Sequence, residues 1–225
     1  MLTVWILLLL NVGVESRTIV VYNNCPFSIW PGVLGPGNPE GGGFRLDAWT
    51  AKNLNVADDW NGKIWARTGC DGDFNCETGT CLNAEQCNGR PGTPPASVAE
   101  FNMKAWGGRD FYAVSLLDGY NLPMLIDGNG CQRAGGCVFD VNSECPPALS
   151  IKSSSGYTVG CKSGCLGYNT DQDCCRGAYG SPDKCPMTET TKIFKKACPG
   201  AFTYPYDNTT MFICLKPSSY TVQFC

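Results

Sequence analysis

The sequence predicts an all-β fold, a sandwich or a barrel. Short runs of strand character follow one another along the chain, and Gly, Pro, Asn and Asp fill most of the gaps between them. Sixteen cysteines, an even and dense set, supply up to eight disulfides to staple such a fold. No internal repeat, long low-complexity linker or sustained helical periodicity competes with this reading.

The elements follow in order. Residues 4–10 form an unbroken apolar run that continues loosely to Val14, and the small Val14 and Ser16 suit cleavage after Ser16. This reads as a secretory signal peptide over 1–16, although no Lys or Arg precedes the run; the run falls far short of the roughly 20 residues of a spanning helix. The expected mature chain is one domain over 17–225. It opens with β-branched residues 18–21 and turns at Asn23-Asn24-Cys25-Pro26. Further strand-like runs lie at 27–30, 44–49, 63–68, 98–103, 111–117, 138–141, 211–215 and 220–224. Residues 69–95 carry four cysteines among Gly, Asp, Asn and Pro and read as a small disulfide-pinned loop lobe. Residues 143–200 carry seven more and read as a larger disulfide-rich lobe. Within it, 188–197 predicts a helix, with hydroxyls at its start, Lys192, Lys195 and Lys196 toward its end, and Pro199-Gly200 as a stop.

Composition narrows the chemistry. The chain contains no histidine, which removes Ser-His-Asp and Cys-His catalysis, His-ligated zinc and imidazole acid/base work. Loss of Glu15 with the signal peptide leaves 17 basic against 19 acidic residues, so no strong global field attracts nucleic acid. Any reaction must run on carboxylates, lysines or hydroxyls. Cys161-x3-Cys165 ahead of Cys174-Cys175 has the look of a zinc cluster, but an exported setting and an even total favour disulfides, and no metal or cofactor is expected. Adjacent Cys174 and Cys175 should take different partners, because a bridge between them strains the intervening peptide. The sequence itself leaves the pairing open among about two million possibilities.

Carboxylates within apolar runs are the sharper signal. Glu100 sits in Val98-Ala99-Glu100-Phe101, and Asp110 and Asp118 bracket 111–117. Such charges either face a groove or pair with cations, here Lys63, Arg67 or Arg109. A cleft gathering Glu100, Asp118 and one more acid has the makings of a glycosidase, which uses two carboxylates about 5–5.5 Å or about 6.5–9.5 Å apart. Trp65, Tyr112 and Tyr206 are candidates for stacking on sugar rings, against the alternative that strand aromatics belong to the core. Asn208-Thr209-Thr210 is the one glycosylation sequon, and no regular threonine array suggests ice binding.

Several motifs in a fixed order carry a resemblance across the whole mature chain. Trp65-Ala66-Arg67-Thr68-Gly69-Cys70, Thr78-Gly79-x-Cys81, Ala99-Glu100-Phe101, Asp118-Gly119-Tyr120-Asn121-Leu122-Pro123-Met124, Cys174-Cys175 and Phe194-Lys195-x-x-Cys198-Pro199-x-Ala201 resemble the thaumatin-like protein family, of the pathogenesis-related family five type. The resemblance implies a β-sandwich core with a large disulfide-rich lobe and a small disulfide loop. It implies the pairs Cys25 with Cys225, Cys70 with Cys76, Cys81 with Cys87, Cys131 with Cys214, Cys137 with Cys198, Cys145 with Cys161, Cys165 with Cys174 and Cys175 with Cys185.

The family's functional cleft is lined by one Arg, one Glu and three Asp. Matched by motif, the Glu is Glu100, and two of the Asp residues are Asp118 and Asp207. The position of the Arg is held by Lys63, and the remaining Asp is replaced by Ala113. The expectation is a secreted, monomeric, antifungal defence protein that binds β-1,3-glucan of the fungal wall, or disturbs the fungal membrane, through Lys63, Glu100, Asp118 and Asp207. Weak endo-β-1,3-glucanase action by Glu100 with Asp118 or Asp207 is the enzymatic alternative, and the loss of the acid at 113 favours binding over cutting. An enzyme inhibitor or receptor ligand that uses the lobe loops is the other alternative.

Overall fold

The computed structural model describes residues 16–225, so the signal-peptide reading of 1–16 lies outside the described residues apart from Ser16. Alternation of buried and exposed residues builds the first sheet. In β1 (Ser16–Asn23), Ile19, Val21 and Asn23 point inward and their neighbours outward. The chain continues through β2 (Trp30–Leu34), β3 (Ala51–Ala57), β4 (Asn61–Arg67), β5 (Val98–Asn102), β6 (Asp110–Ser115) and β7 (Met124–Gly128). It then forms the short β8 (Ala134–Gly135), β9 (Ser150–Lys152), β10 (Thr158–Cys161), β11 (Ala201–Phe202) and β12 (Phe212–Cys214), and ends in β13 (Ser219–Phe224).

One sheet has the order β3-β1-β13-β7-β8, and the other β11-β6-β5-β4-β2 with β12 also paired to β6. The chain's first and last strands are parallel neighbours, from Thr18 opposite Ser219 to Asn23 opposite Phe224. The Cys25–Cys225 disulfide locks this pairing just beyond the strand ends. It spans 200 residues, for which the chain-entropy account gives about 5 kcal/mol of stabilisation. The core fills the space between the sheets: Ile19, Val21 and Val222 face Ile64, Ala99 and Val114. Tyr220 of one sheet meets Phe101 and Tyr112 of the other, at ring separations of 5.1 and 5.2 Å.

The second sheet is covered on part of its outer face as well, so β4 stops alternating and buries Trp65 and Arg67 along with Ile64 and Ala66. Residues of the 69–95 loop make that cover. Trp65 packs with Cys87, Ala96 and Val98, and its Nε1 donates to the Gly79 carbonyl at 2.8 Å. Among the described residues no carboxylate lies within ion-pair distance of fully buried Arg67; it donates to the carbonyls of Trp30, Ala84 and Glu85, fastening the loop to β2.

The other lobe combines the β9–β10 hairpin, α1 (Gly164–Tyr168) and α2 (Glu189–Ala197). The helix predicted over 188–197 forms as α2, with the Thr188 side chain accepting from the Thr191 amide and Lys195 and Lys196 in the last turn. The sixteen cysteines form eight disulfides: Cys25–Cys225, Cys70–Cys76, Cys81–Cys87, Cys131–Cys214, Cys137–Cys198, Cys145–Cys161, Cys165–Cys174 and Cys175–Cys185.

Three strand expectations differ from the fold. Residues 44–49 make one isolated bridge, Leu46 with Ile29, and no strand. The run at 27–30 becomes a strand only from Trp30 onward, and continues through Pro31 because β2 is a sheet edge. At 138–141 the Asp140 side chain accepts from the Asn142 amide and starts a turn of 3-10 helix, Val141–Glu144.

Candidate functional site

The outer face of the second sheet presents the charged residues. Antiparallel pairing sets Lys63 of β4 opposite Glu100 of β5, and Glu100 opposite Ala113 of β6. Strand alternation turns all three away from the core, which takes Ile64, Ala99 and Val114 instead. Lys63 Nζ and a Glu100 carboxylate oxygen form an ion pair at 2.8 Å, with the two side chains 48% and 36% exposed.

Two hollows adjoin this pair and share Lys63 as a wall. One, of about 280 Å³, is bounded by Lys63, Glu100, Phe111, Ala113 and Met211. The other, of about 120 Å³, is bounded by Leu34, Lys63, Trp65, Pro94 and Asp118. Asp118 is exposed, and among the described residues no cation lies within ion-pair distance of it. Its position follows from the turn after β6: the Gly119 amide donates to the Leu116 carbonyl, with Gly119 at φ 94°. A side chain at 119 would strain that backbone and place its Cβ 2.5 Å from the Cys161 carbonyl oxygen. Glu100 thus borders one hollow and Asp118 the other, with Lys63 in the wall of both.

Asp207 stands elsewhere. It is 3% exposed, borders neither hollow, and receives Lys195 Nζ at 2.8 Å, Thr209 Oγ1 at 2.9 Å and the amide and hydroxyl of Thr203 at 3.2 Å. Burial alone would raise its carboxyl; the hydrogen bonds from Lys195 and Thr209 outweigh this and hold it below the ordinary carboxylate range. The acid that completes the sequence-derived set is therefore a clamp between α2 and the 203–209 loop. Its partner Lys195 was invisible as such in the sequence, since only the return of the chain past α2 brings the two together.

Other candidates also resolve. Buried Asp110 pairs with Arg17 at 3.1 Å and accepts from Tyr220 Oη and the Lys104 amide, so it does not pair with Arg109. Trp65 and Tyr112 are buried, so each shows only an edge to the hollow it borders, and Tyr206 is half-buried. Asn208 is exposed. Met211 and Phe111, which form a wall of the larger hollow, gave no sequence signal beyond their place in strand-like runs. Among the described residues no helix is long and apolar enough to cross a membrane, and no group of His, Cys, Asp and Glu could hold a metal ion.

The Thaumatin family model matches residues 23–225. The chain belongs to the thaumatin family. Thaumatin-like protein 1 of Pyrus pyrifolia is 41% identical over 227 residues, covering 96% of this chain and 93% of the relative. Pathogenesis-related protein 5 of Arabidopsis thaliana is 41% identical, covering 96% and 92%. A Prunus avium relative named Glucan endo-1,3-beta-glucosidase is also 41% identical, covering 95% and 92%. Among solved structures, a laminaripentaose-producing beta-1,3-glucanase in complex with laminaritetraose aligns with a TM-score of 0.61 at 8% identity, covering 92% of this chain and 98% of that one. That likeness is one of fold alone. Thaumatin-family membership and the eight disulfides both fit an oxidising compartment.

Proposed function

We propose that this thaumatin-family chain is a secreted, monomeric defence protein that binds β-1,3-glucan of fungal cell walls through the cleft of Lys63, Glu100 and Asp118. The observation that carries the reading is the exposed Lys63–Glu100 pair, which borders one hollow, with Asp118 in the adjoining hollow that shares Lys63 as a wall. A glucan chain offers hydroxyl groups that both donate and accept; Glu100 and Asp118 accept from them and Lys63 donates to them. The Prunus avium relative's name supports this ligand class.

Binding is favoured over cutting. Hydrolysis needs an acid and a second carboxylate on either side of the scissile bond. The residue opposite Glu100 is Ala113, and Asp207 is committed to Lys195. Asp118 is the remaining partner, and it stands beyond the Lys63 ammonium. Hydrolysis by Glu100 with Asp118 is the second reading, supported by the adjoining hollows that the two acids border on either side of Lys63. An N-glycan on exposed Asn208, three residues before the cleft residue Met211, would stand near the rim.

Laminarin distinguishes these readings. The expected result is retention on immobilised laminarin that Glu100→Gln and Asp118→Asn weaken, with no reducing ends released. Reducing ends that vanish in Glu100→Gln would establish the enzymatic reading. Retention indifferent to both substitutions would sink the cleft and point to a protein partner read by the lobe loops.

A further inference from the structure

A cavity of about 700 Å³, more than twice the larger hollow of the cleft, opens where the 69–95 loop and the disulfide-rich lobe meet the core, and shares no lining residue with the cleft. Pockets of this size at such junctions are the usual seats of small ligands. Its apolar surface comes from Phe27, Trp30, Leu122, Pro123 and Val159. Val159 falls where the β9–β10 register shifts: Thr158 pairs with Lys152 and Gly160 with Ile151, which leaves Val159 as the extra residue of a bulge. Phe27 is 44% exposed for so large an apolar ring.

Among the polar groups around this apolar body are two carboxylates. Glu77 and Asp140 are both exposed, and among the described residues neither has a cation within ion-pair distance. Asn142 keeps a buried Oδ1 with no hydrogen-bond partner. The one cation of the lining, Arg45, has its Nε 2.8 Å from Asp47, which lies outside the lining, and its guanidinium covers the Trp30 ring at 5.7 Å. Two carboxylates against one guanidinium leave the lining with a net negative charge over an apolar floor.

We propose that this cavity is a second ligand site, for a small organic cation that carries a protonated amine on a flat apolar ring. The ring lies against Phe27, Leu122 and Val159, and the ammonium donates toward Glu77 and Asp140. A glucan has no positive charge, so this site and the cleft read different chemistry.

Three probes share one ring and differ in charge: tryptamine, neutral tryptophol and indole-3-acetate. Titrated calorimetrically into the full chain at low salt, tryptamine should bind several-fold tighter than tryptophol, and indole-3-acetate weakest. Glu77→Gln and Asp140→Asn should each weaken tryptamine by about two- to fivefold, the range of an exposed charge pair. Val159→Phe, with its melting temperature checked against the parent, should cost at least about tenfold by crowding the seat of the ring. Glu100→Gln should leave tryptamine binding unchanged. The proposal fails if tryptamine does not bind, if all three probes bind alike, or if Glu100→Gln abolishes binding while Val159→Phe and Glu77→Gln do not.

Discussion

Asp207→Ala separates a structural acid from a cleft acid. In the folded chain the Asp207 carboxylate accepts from Lys195, Thr209 and two groups of Thr203. Removing one partner of a buried ion pair costs about 3–5 kcal/mol. Lys195 is 21% exposed and keeps a hydrogen bond to the Ala201 carbonyl at 3.1 Å, so the lower end, about 3 kcal/mol, applies here. For a domain of this size each kcal/mol lowers the melting temperature by about 2–4 °C, which predicts a fall of roughly 6–12 °C. Asp207→Asn keeps an acceptor but loses the charge, and should fall by about half as much. The assay is thermal melting under non-reducing conditions beside laminarin retention at a temperature where the variant is folded. A melt within about 1 °C of the parent, combined with lost retention, would refute the clamp and return Asp207 to the cleft.

Three further outcomes follow from named groups. Arg67→Lys should cost about 2–4 kcal/mol by urea unfolding and expose the 69–95 loop to limited proteolysis, because one ammonium cannot reach the three carbonyls that the guanidinium satisfies. Asp58 is held at about 2, against an ordinary 3.8, by hydrogen bonds from Lys104 and Arg17 that outweigh its burial. Its folded value is the lower one, so its stabilisation is complete above the ordinary value and is lost as pH falls through about 2; melting between pH 5 and pH 2 should drop less steeply in Lys104→Met. Ala113→Asp puts a second carboxylate opposite Glu100, which should cost up to about 1 kcal/mol and raise reducing-end release from laminarin above the parent, with unchanged release excluding position 113 from the chemistry.

The parts of the fold legible in the sequence are those governed by local rules. Strands β1 and β13 alternate cleanly, and α2 announces itself with a threonine cap, terminal lysines and a Pro-Gly stop. Strand β3, Ala-Lys-Asn-Leu-Asn-Val-Ala, escapes notice because an edge strand buries only Leu54 and Val56. At Asp140 a side-chain cap overrode the apolar run that suggested a strand. The site divides in the same way. Lys63, Glu100 and Ala113 become neighbours once three strands pair in register, and alternation says that all three share a face. Whether Trp65 faces a ligand or a covering loop is decided by Gly79 and Cys87, which the local pattern around Trp65 does not mention. Asp207 is the extreme case, since its role depends on Lys195 twelve residues earlier in sequence, at the far end of a helix.

The lysine at 63 bears on what the cleft can do. An arginine there would grip Glu100 through a planar fork, fixing the carboxylate with two parallel hydrogen bonds. An ammonium makes a single-point contact, and a pair this exposed is worth only about 0–1 kcal/mol. In the proposed reading a sugar hydroxyl can therefore displace either partner from the other at little cost, leaving both free to contact the ligand. A catalytic carboxylate needs the opposite, a position held within a fraction of an ångström by its surroundings. With Ala113 supplying no second acid across the strand, the same substitutions that loosen Glu100 for adaptable binding withdraw the support that cleavage requires.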